Sequence, residues 1–424
     1  MKKIAGSLFI LDQAISSLIT FVLIAGLSHA GGAALVGSIA VLQTIALAGL
    51  SASRAVGVDV WAASAAVISD RRGALSSGYT VALAVLFINI FAAFLQKNGG
   101  FPVVLYCIVS PLIVVLDTVR IFLLHSGKTW ISVILQGLIL TGVIISAYTA
   151  SGAEVLLMAY LVGVFITVAV GHAALKIRPP LPSIRYPIAH RHKSGPFLLE
   201  ISLGSITQQA LFLIVTVLSS VQTGGQIRIA QTLLGPLSIV YSGLAPQLLR
   251  KLGRLGVMNR RAVARNGRNF GLLLAGCSVL CVSLLCVALN IDISGFSLLK
   301  FLTGHQDNDL PTIVAVCGTA VAFGGVVLGV GTSARVIGTT SNLNRWRLLL
   351  IGPQVVAVCA GALAGSPLMA AAGLAGASAA TAIMSLIVLT RSVPRRSRRY
   401  SAASNYDRRR ISDARGFEYS KGGQ

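Results

Sequence analysis

The feature that most constrains this chain is a series of apolar stretches, each near 20 residues long and almost free of charge. Backbone groups taken out of water must be satisfied within their own segment, so such stretches read as membrane-spanning helices. Twelve are expected, at 7–28, 33–53, 75–95, 102–120, 130–150, 153–175, 197–219, 227–248, 270–291, 311–333, 347–365 and 367–390. Only 11% of the residues are charged, against about 25% in a soluble globular domain, so there is too little polar surface for one. Disordered, collagen-like and disulfide-stapled classes fall to the same composition. Strands of an outer-membrane barrel would need runs of only about 10 residues. The fold class is therefore an all-α polytopic membrane protein.

Basic residues give the orientation. With the N-terminus inside and each span switching sides, 32 of the 35 Lys and Arg residues fall on the cytosolic face, leaving Lys97, Arg228 and Lys300 at or near the outer one. This one-sidedness obeys the positive-inside rule, so both chain ends are expected in the cytoplasm of a plasma-membrane protein. The N-terminal stretch loosely resembles a secretory leader, with Lys2-Lys3 ahead of it and Ser28-His29-Ala30 after it. It is too long for one and carries Asp12, so the first helix is expected to be retained.

An internal repeat organises the chain. At a constant offset of 188, Asp12 meets Glu200, Ser17 meets Ser205, Gly37 meets Gly225, Gln43 meets Gln231 and Thr44 meets Thr232. The chain divides into an N-terminal six-helix lobe (1–175), a Pro-rich basic cytosolic linker (176–196) and a C-terminal six-helix lobe (197–390). A basic tail (391–424) follows, read as disordered from its low hydropathy and high charge. Six spans per lobe make both lobes enter the membrane in the same direction, which is a parallel repeat as in several transporter folds. Duplicated lobes can rock around a shared cavity, which channels and anchors do not require.

Each ionisable residue within a span costs roughly 2.5–3.5 kcal/mol at mid-helix and needs an account. Asp12 and Glu200 lie about a turn inside the cytosolic ends of spans one and seven. They serve either in gating and pairing or as passive residues that water reaches. Asp117 and Arg120, at i, i+3, form either an interior ion pair or a helix-end pair. Arg228, at the outer mouth of span eight, suits a phosphate group through its planar fork or snorkels to outer headgroups. Arg54 and Arg335 read mainly as cytosolic topology anchors. The paired polar positions Ser17, Ser205, Gln43 and Gln231 complete the transport candidates.

The six cysteines lie in spans and behave as small apolar residues, and the six histidines make no ligand spacing, so no metal or cofactor is expected. Gly127-Lys128-Thr129 ends like a phosphate loop, but Phe122 stands where that motif requires glycine. No hydrolase or ATPase motif is present, and the chain is not expected to be an enzyme. The pairs Gly325–Gly329 and Gly361–Gly365 suit close packing within the bundle. The basic tail suits anionic lipid headgroups first and a cytosolic partner second, with nucleic acid not expected.

Three stretches resemble one family. LDQAISSLITF, with LVGSIAVLQTIALAGLSASRAVGVDV after it, resembles the first two helices of polysaccharide exporters of the O-antigen flippase type. Asp12, Gln13, Ser16, Ser17, Phe21, Gly37, Arg54 and Ala55 match, while Val36 stands where an aromatic is usual. PLIVVLDTVRIFLLHSGKT resembles the fourth-helix signature of actinobacterial relatives through Pro111, Asp117, Arg120, Gly127 and Lys128, with Leu116 in place of Gln. The family belongs to the MOP superfamily, with the MATE drug antiporters. The resemblance implies a two-lobed bundle that carries an anionic lipid-linked oligosaccharide from the inner to the outer leaflet, with glycan-biosynthesis enzymes as possible associates. A small-solute antiporter is the alternative; Asp70-Arg71-Arg72-Gly73 resembles a major-facilitator loop in part. A non-transporting scaffold for envelope biosynthesis is the third reading.

Overall fold

The apolar stretches fold as helices. The structure, a computed structural model, describes residues 2–63, 70–96, 100–149, 152–237, 259–293 and 309–392, with isolated positions at 240–241, 244, 248, 251–252 and 296–297. The tail from 393 onward, Lys97 and Lys300 lie outside the described residues.

Helix α1 (Lys2–Ser53) covers the first two expected spans and bends between them at Gly32. There φ is 67°, a left-handed backbone that glycine adopts without a Cβ penalty. A five-residue π-helical segment (Arg54–Val58) and short α2 (Asp59–Ala63) continue it. The first half is completed by α3 (Asp70–Leu95), α4 (Gly100–His125), α5 (Thr129–Thr149) and α6 (Ala153–Leu175).

The linker is more ordered than its Pro-rich composition implies. It contains α7 (Arg185–Ala189) and α8 (Arg191–Ile201), and α8 runs through a second π segment (Ser202–Ile206) into α9 (Thr207–Leu218). Its Tyr186 is buried against Gly73, and Ser76 Oγ donates to Leu181 O at 2.6 Å. The linker is thus fastened along α3.

Beyond α9 come α10 (Val221–Leu233), α11 (Arg260–Asn290), α12 (Leu310–Ile337), α13 (Thr340–Leu363) and α14 (Pro367–Ser392). A two-residue antiparallel pairing, Asp292–Ile293 with Phe296–Ser297, lies between α11 and α12. Caps fit the sequence: Asn259 Oδ1 accepts from the Arg261 and Ala262 amides, and Ser220 Oγ accepts from the Thr223 amide.

Ten helices among the described residues are long and apolar enough to cross a membrane, the first being Ile10–Trp61 with its bend. They account for eleven of the twelve expected spans. The remaining span, 227–248, starts within α10 and then runs partly outside the described residues. Outward faces carry apolar side chains such as Phe87, Phe94, Leu138, Phe165 and Leu280, as a lipid-facing surface requires. This is a multi-pass membrane protein.

Within the first half α1 packs on α4 and α5, and α4 on α3 and α6; within the second, α11 packs on α12 and α13 on α14. The halves meet chiefly where the second part of α1 lies along α10. That contact is reciprocal across the repeat. A Cβ on Gly37 would stand 1.8 Å from Val221 O, and one on Gly225 would stand 1.9 Å from Ala33 O. Ala33 and Val221 are themselves 188 apart, so the repeat mates meet as in a two-fold interface. Of the expected glycine pairs, Gly325 and Gly329 both face α11. Gly361 instead lies against α14 at Gly373, and Gly365 forms a left-handed turn at φ 77°.

Candidate functional site

The first half holds an alternating chain of charges, buried at Asp12, Asp117 and Arg120 and partly exposed at Arg54. Arg54 grips Asp117 with two parallel bonds, Nε to Oδ2 at 2.7 Å and Nη2 to Oδ1 at 2.6 Å. Arg120 Nη2 lies 3.8 Å from the same carboxylate, and its Nε faces Asp12 Oδ2 at 3.2 Å. Arg120 also donates to Ser16 Oγ at 2.9 Å, and Ser132 Oγ donates to Asp12 Oδ1 at 2.6 Å. Two acids are thereby matched by two guanidinium groups, which a low-dielectric interior demands.

Two expectations change here. Asp12 is fully buried rather than reached by water. The tight partner of Asp117 is Arg54, 63 positions away in the chain, and the i, i+3 contact with Arg120 is the looser one. Arg54 therefore clamps α4.

Between the halves, Arg228 is buried, so its guanidinium does not snorkel outward. Its Nε donates to Gln43 Oε1 at 2.8 Å, its Nη1 to Gln231 Oε1 at 3.3 Å, and its guanidinium carbon lies 5.8 Å from the centre of the Phe212 ring. Gln43 and Gln231, repeat mates, thus converge on one arginine. Ser205, in the second π segment, hydrogen-bonds Ser51 of α1 at 2.8 Å, while its repeat mate Ser17 is half-buried within α1. π-helical turns occur often at functional sites, and here both lie beside inter-half contacts.

The second half contains a partly open cavity of about 820 Å³, lined entirely by residues from Glu200 onward. That volume lies within the range of small-molecule sites. Its charged lining is Glu200, Arg228, Arg335 and Arg347, with amides such as Gln208 and Gln354 between them. Arg335 Nε donates to Glu200 Oε1 at 2.9 Å, and Arg335 Nη2 donates to the same oxygen. Glu200 and Asp12 share a register in the repeat but not an environment. One lines a cavity, and the other is sealed inside a charge chain.

Neither a family model nor a curated protein matches this sequence. Solved structures do match in three dimensions. The lipid II flippase MurJ, in an inward closed conformation, aligns at TM-score 0.66 and 13% identity over 92% of this chain and 87% of its own. A multidrug resistance MATE family transporter of the MOP superfamily aligns in its inward-facing conformation at 0.55 and 14% identity, over 90% of this chain and 95% of its own. Its outward-facing conformation aligns at 0.53 and 14%, over 91% and 95%. The fold is that of MOP-superfamily transporters.

Two cavity-lining arginines fall outside the transport candidates expected from the sequence. The sequence places Arg335 at the cytosolic face as an anchor and Arg347 there only as another basic residue. Both line the cavity. The legible signal for Arg347 is its position in TSNLNRWRLLL, where a polar stretch and the start of an apolar span share one helix.

Proposed function

We propose that this chain is a MOP-fold transporter that moves an anionic lipid-linked oligosaccharide across the membrane by alternating access between its two halves. The observation that carries the reading is the cavity of the second half, where three arginines face one glutamate. Asp117 and Asp12 are already held by Arg54 and Arg120, and within the cavity lining itself the three arginines outnumber the single glutamate. A diphosphate headgroup suits such a lining, because guanidinium forks bind phosphate oxygens in pairs. An apolar lipid chain would stay in the bilayer while the headgroup occupied the cavity.

A MATE-like antiporter of a small solute is the second reading, favoured by the near-complete coverage of the MATE structures. An anionic solute would fit the lining, whereas a cationic drug would meet three arginines. The scaffold reading draws on the basic cytosolic face and its affinity for anionic lipids. The test is loss of the chain in its native cell, followed by extraction of lipid-linked precursors. Accumulation of an anionic precursor with loss of a surface glycan supports the flippase. Unchanged precursor and glycan with altered solute resistance supports the antiporter. Orientation follows from cysteine labelling: a probe at Arg185 should react only from the cytoplasm and one at Glu154 only from outside.

A further inference from the structure

We infer that Arg335 and Arg347 form a phosphate-binding site in the second half, and that Glu200 occupies it as an internal stand-in until a phosphate-bearing ligand displaces it. This deepens the proposed function and rests on it for the source of the ligand, not for the site itself.

The geometry starts from one helix face. Gly331 and Arg335 are four residues apart on α12 and therefore lie one above the other. Arg347 reaches over from α13, its Nη2 3.8 Å from where a Cβ on Gly331 would stand. The two guanidinium groups thus approach the same stripe of α12, one turn apart, and both line the cavity. Two like charges on one cavity wall call for an anion.

Glu200 is the acid of the cavity lining, and it hydrogen-bonds only Arg335. Both of its hydrogen bonds come from Arg335 and use one oxygen, Oε1. Arg347 Nε is buried without a hydrogen-bond partner. A carboxylate brings one charge and two oxygens; a phosphate or diphosphate brings more of both. Such a group can take Arg335 and Arg347 together, which Glu200 does not do. The Arg335–Glu200 pair is partly open, with side-chain exposures of 56% and 22%, so exchange needs no dismantling of the core.

Displacement also has a route to the rest of the molecule. Glu200 is two residues before the π segment Ser202–Ile206, whose Ser205 is bonded to Ser51 of the other half. Release of Glu200 frees the stem of that segment.

The test uses the full chain in nanodiscs of neutral phosphatidylcholine. One arm titrates inorganic pyrophosphate by calorimetry; the other adds phosphatidic acid to the nanodisc and measures its retention by native mass spectrometry. Glu200→Gln should tighten binding at least about fivefold, because the internal competitor is gone. Arg347→Gln should weaken it at least about tenfold, and Arg347→Lys should keep part of it. Arg345→Gln, exposed and outside the lining, should leave it unchanged. If Glu200→Gln does not fold, Glu200→Asp, which draws the carboxylate back by one methylene, must tighten binding. Unchanged or weaker binding in the glutamate variant, or wild-type affinity in Arg347→Gln, overturns the inference. Binding of pyrophosphate alone, with these responses, supports the site and assigns it to a water-borne anion, which counts against the flippase reading. Accumulated precursor in cells with no response of either probe leaves that reading standing and removes this site.

Discussion

At the scale of single residues, the charge chain in the first half gives an order of costs that spacing alone does not. Asp12 has no exposed surface, and Asp117 and Arg120 have 8% and 7% of their side chains exposed, but Arg54 keeps 41%. Loss of Asp117 therefore frees a guanidinium that is partly exposed and has Asp59 as a second charge partner, while Arg120 keeps Asp12. Loss of Arg120 leaves Asp12 sealed with only a serine hydroxyl. Breaking a buried pair in this way costs about 3–5 kcal/mol. Arg120→Gln should lower the unfolding midpoint in nanodiscs well below that of Asp117→Asn. Adding Asp12→Asn to Arg120→Gln should recover most of the loss, because the orphaned charge goes with it. Additive losses in that double variant would show that the two residues are not coupled.

At the scale of helices, the seam between α1 and α10 depends on two glycines that admit no side chain. Backbone oxygen cannot swing aside as a side chain can, so a Cβ 1.8 Å from Val221 O must push the helices apart. Gly37→Ala and Gly225→Ala should therefore each lengthen the distance between spin labels at His29 and Ser220, with helix content preserved. Gly137→Ala, where nothing lies within 4 Å of the new carbon, should leave it alone. Equal distances in all three would mean that other contacts hold this end shut. The same seam shows what the sequence could disclose. Spans were legible because hydropathy is a property of composition, and the bend was legible because His29–Gly32 is polar and glycine-rich. The identity of Gly37 and Gly225 was legible at offset 188, but their contact depends on how two helices are rotated and docked. For the same reason the spacing of Asp117 and Arg120 predicted a pair and missed Arg54. Asp12 and Glu200 occupy one register yet differ, because their partners Arg120 and Arg335 are not repeat mates.

At the scale of the whole molecule, the two halves touch at both ends of the second part of α1. One contact is the glycine seam at residues 33–37, and the other is the Ser51–Ser205 bond. Fourteen to eighteen helical residues separate them, about 21–27 Å of rise, which is most of the apolar thickness of a bilayer. A molecule that rocks must open one end while the other stays closed, so a covalent tie at either end should stop it. A rigid scaffold would be indifferent to such a tie. The serine hydroxyls stand 2.8 Å apart, close enough for cysteines in their places to approach disulfide geometry. The combined Ser51→Cys and Ser205→Cys variant should fail to complement loss of the chain under oxidising conditions and recover when reductant is added. Each single variant should complement throughout, which separates the tie from the loss of a hydroxyl. Full complementation by the oxidised double variant, with the cross-link verified by mass spectrometry, would show that the halves need not part at this end for the chain to work.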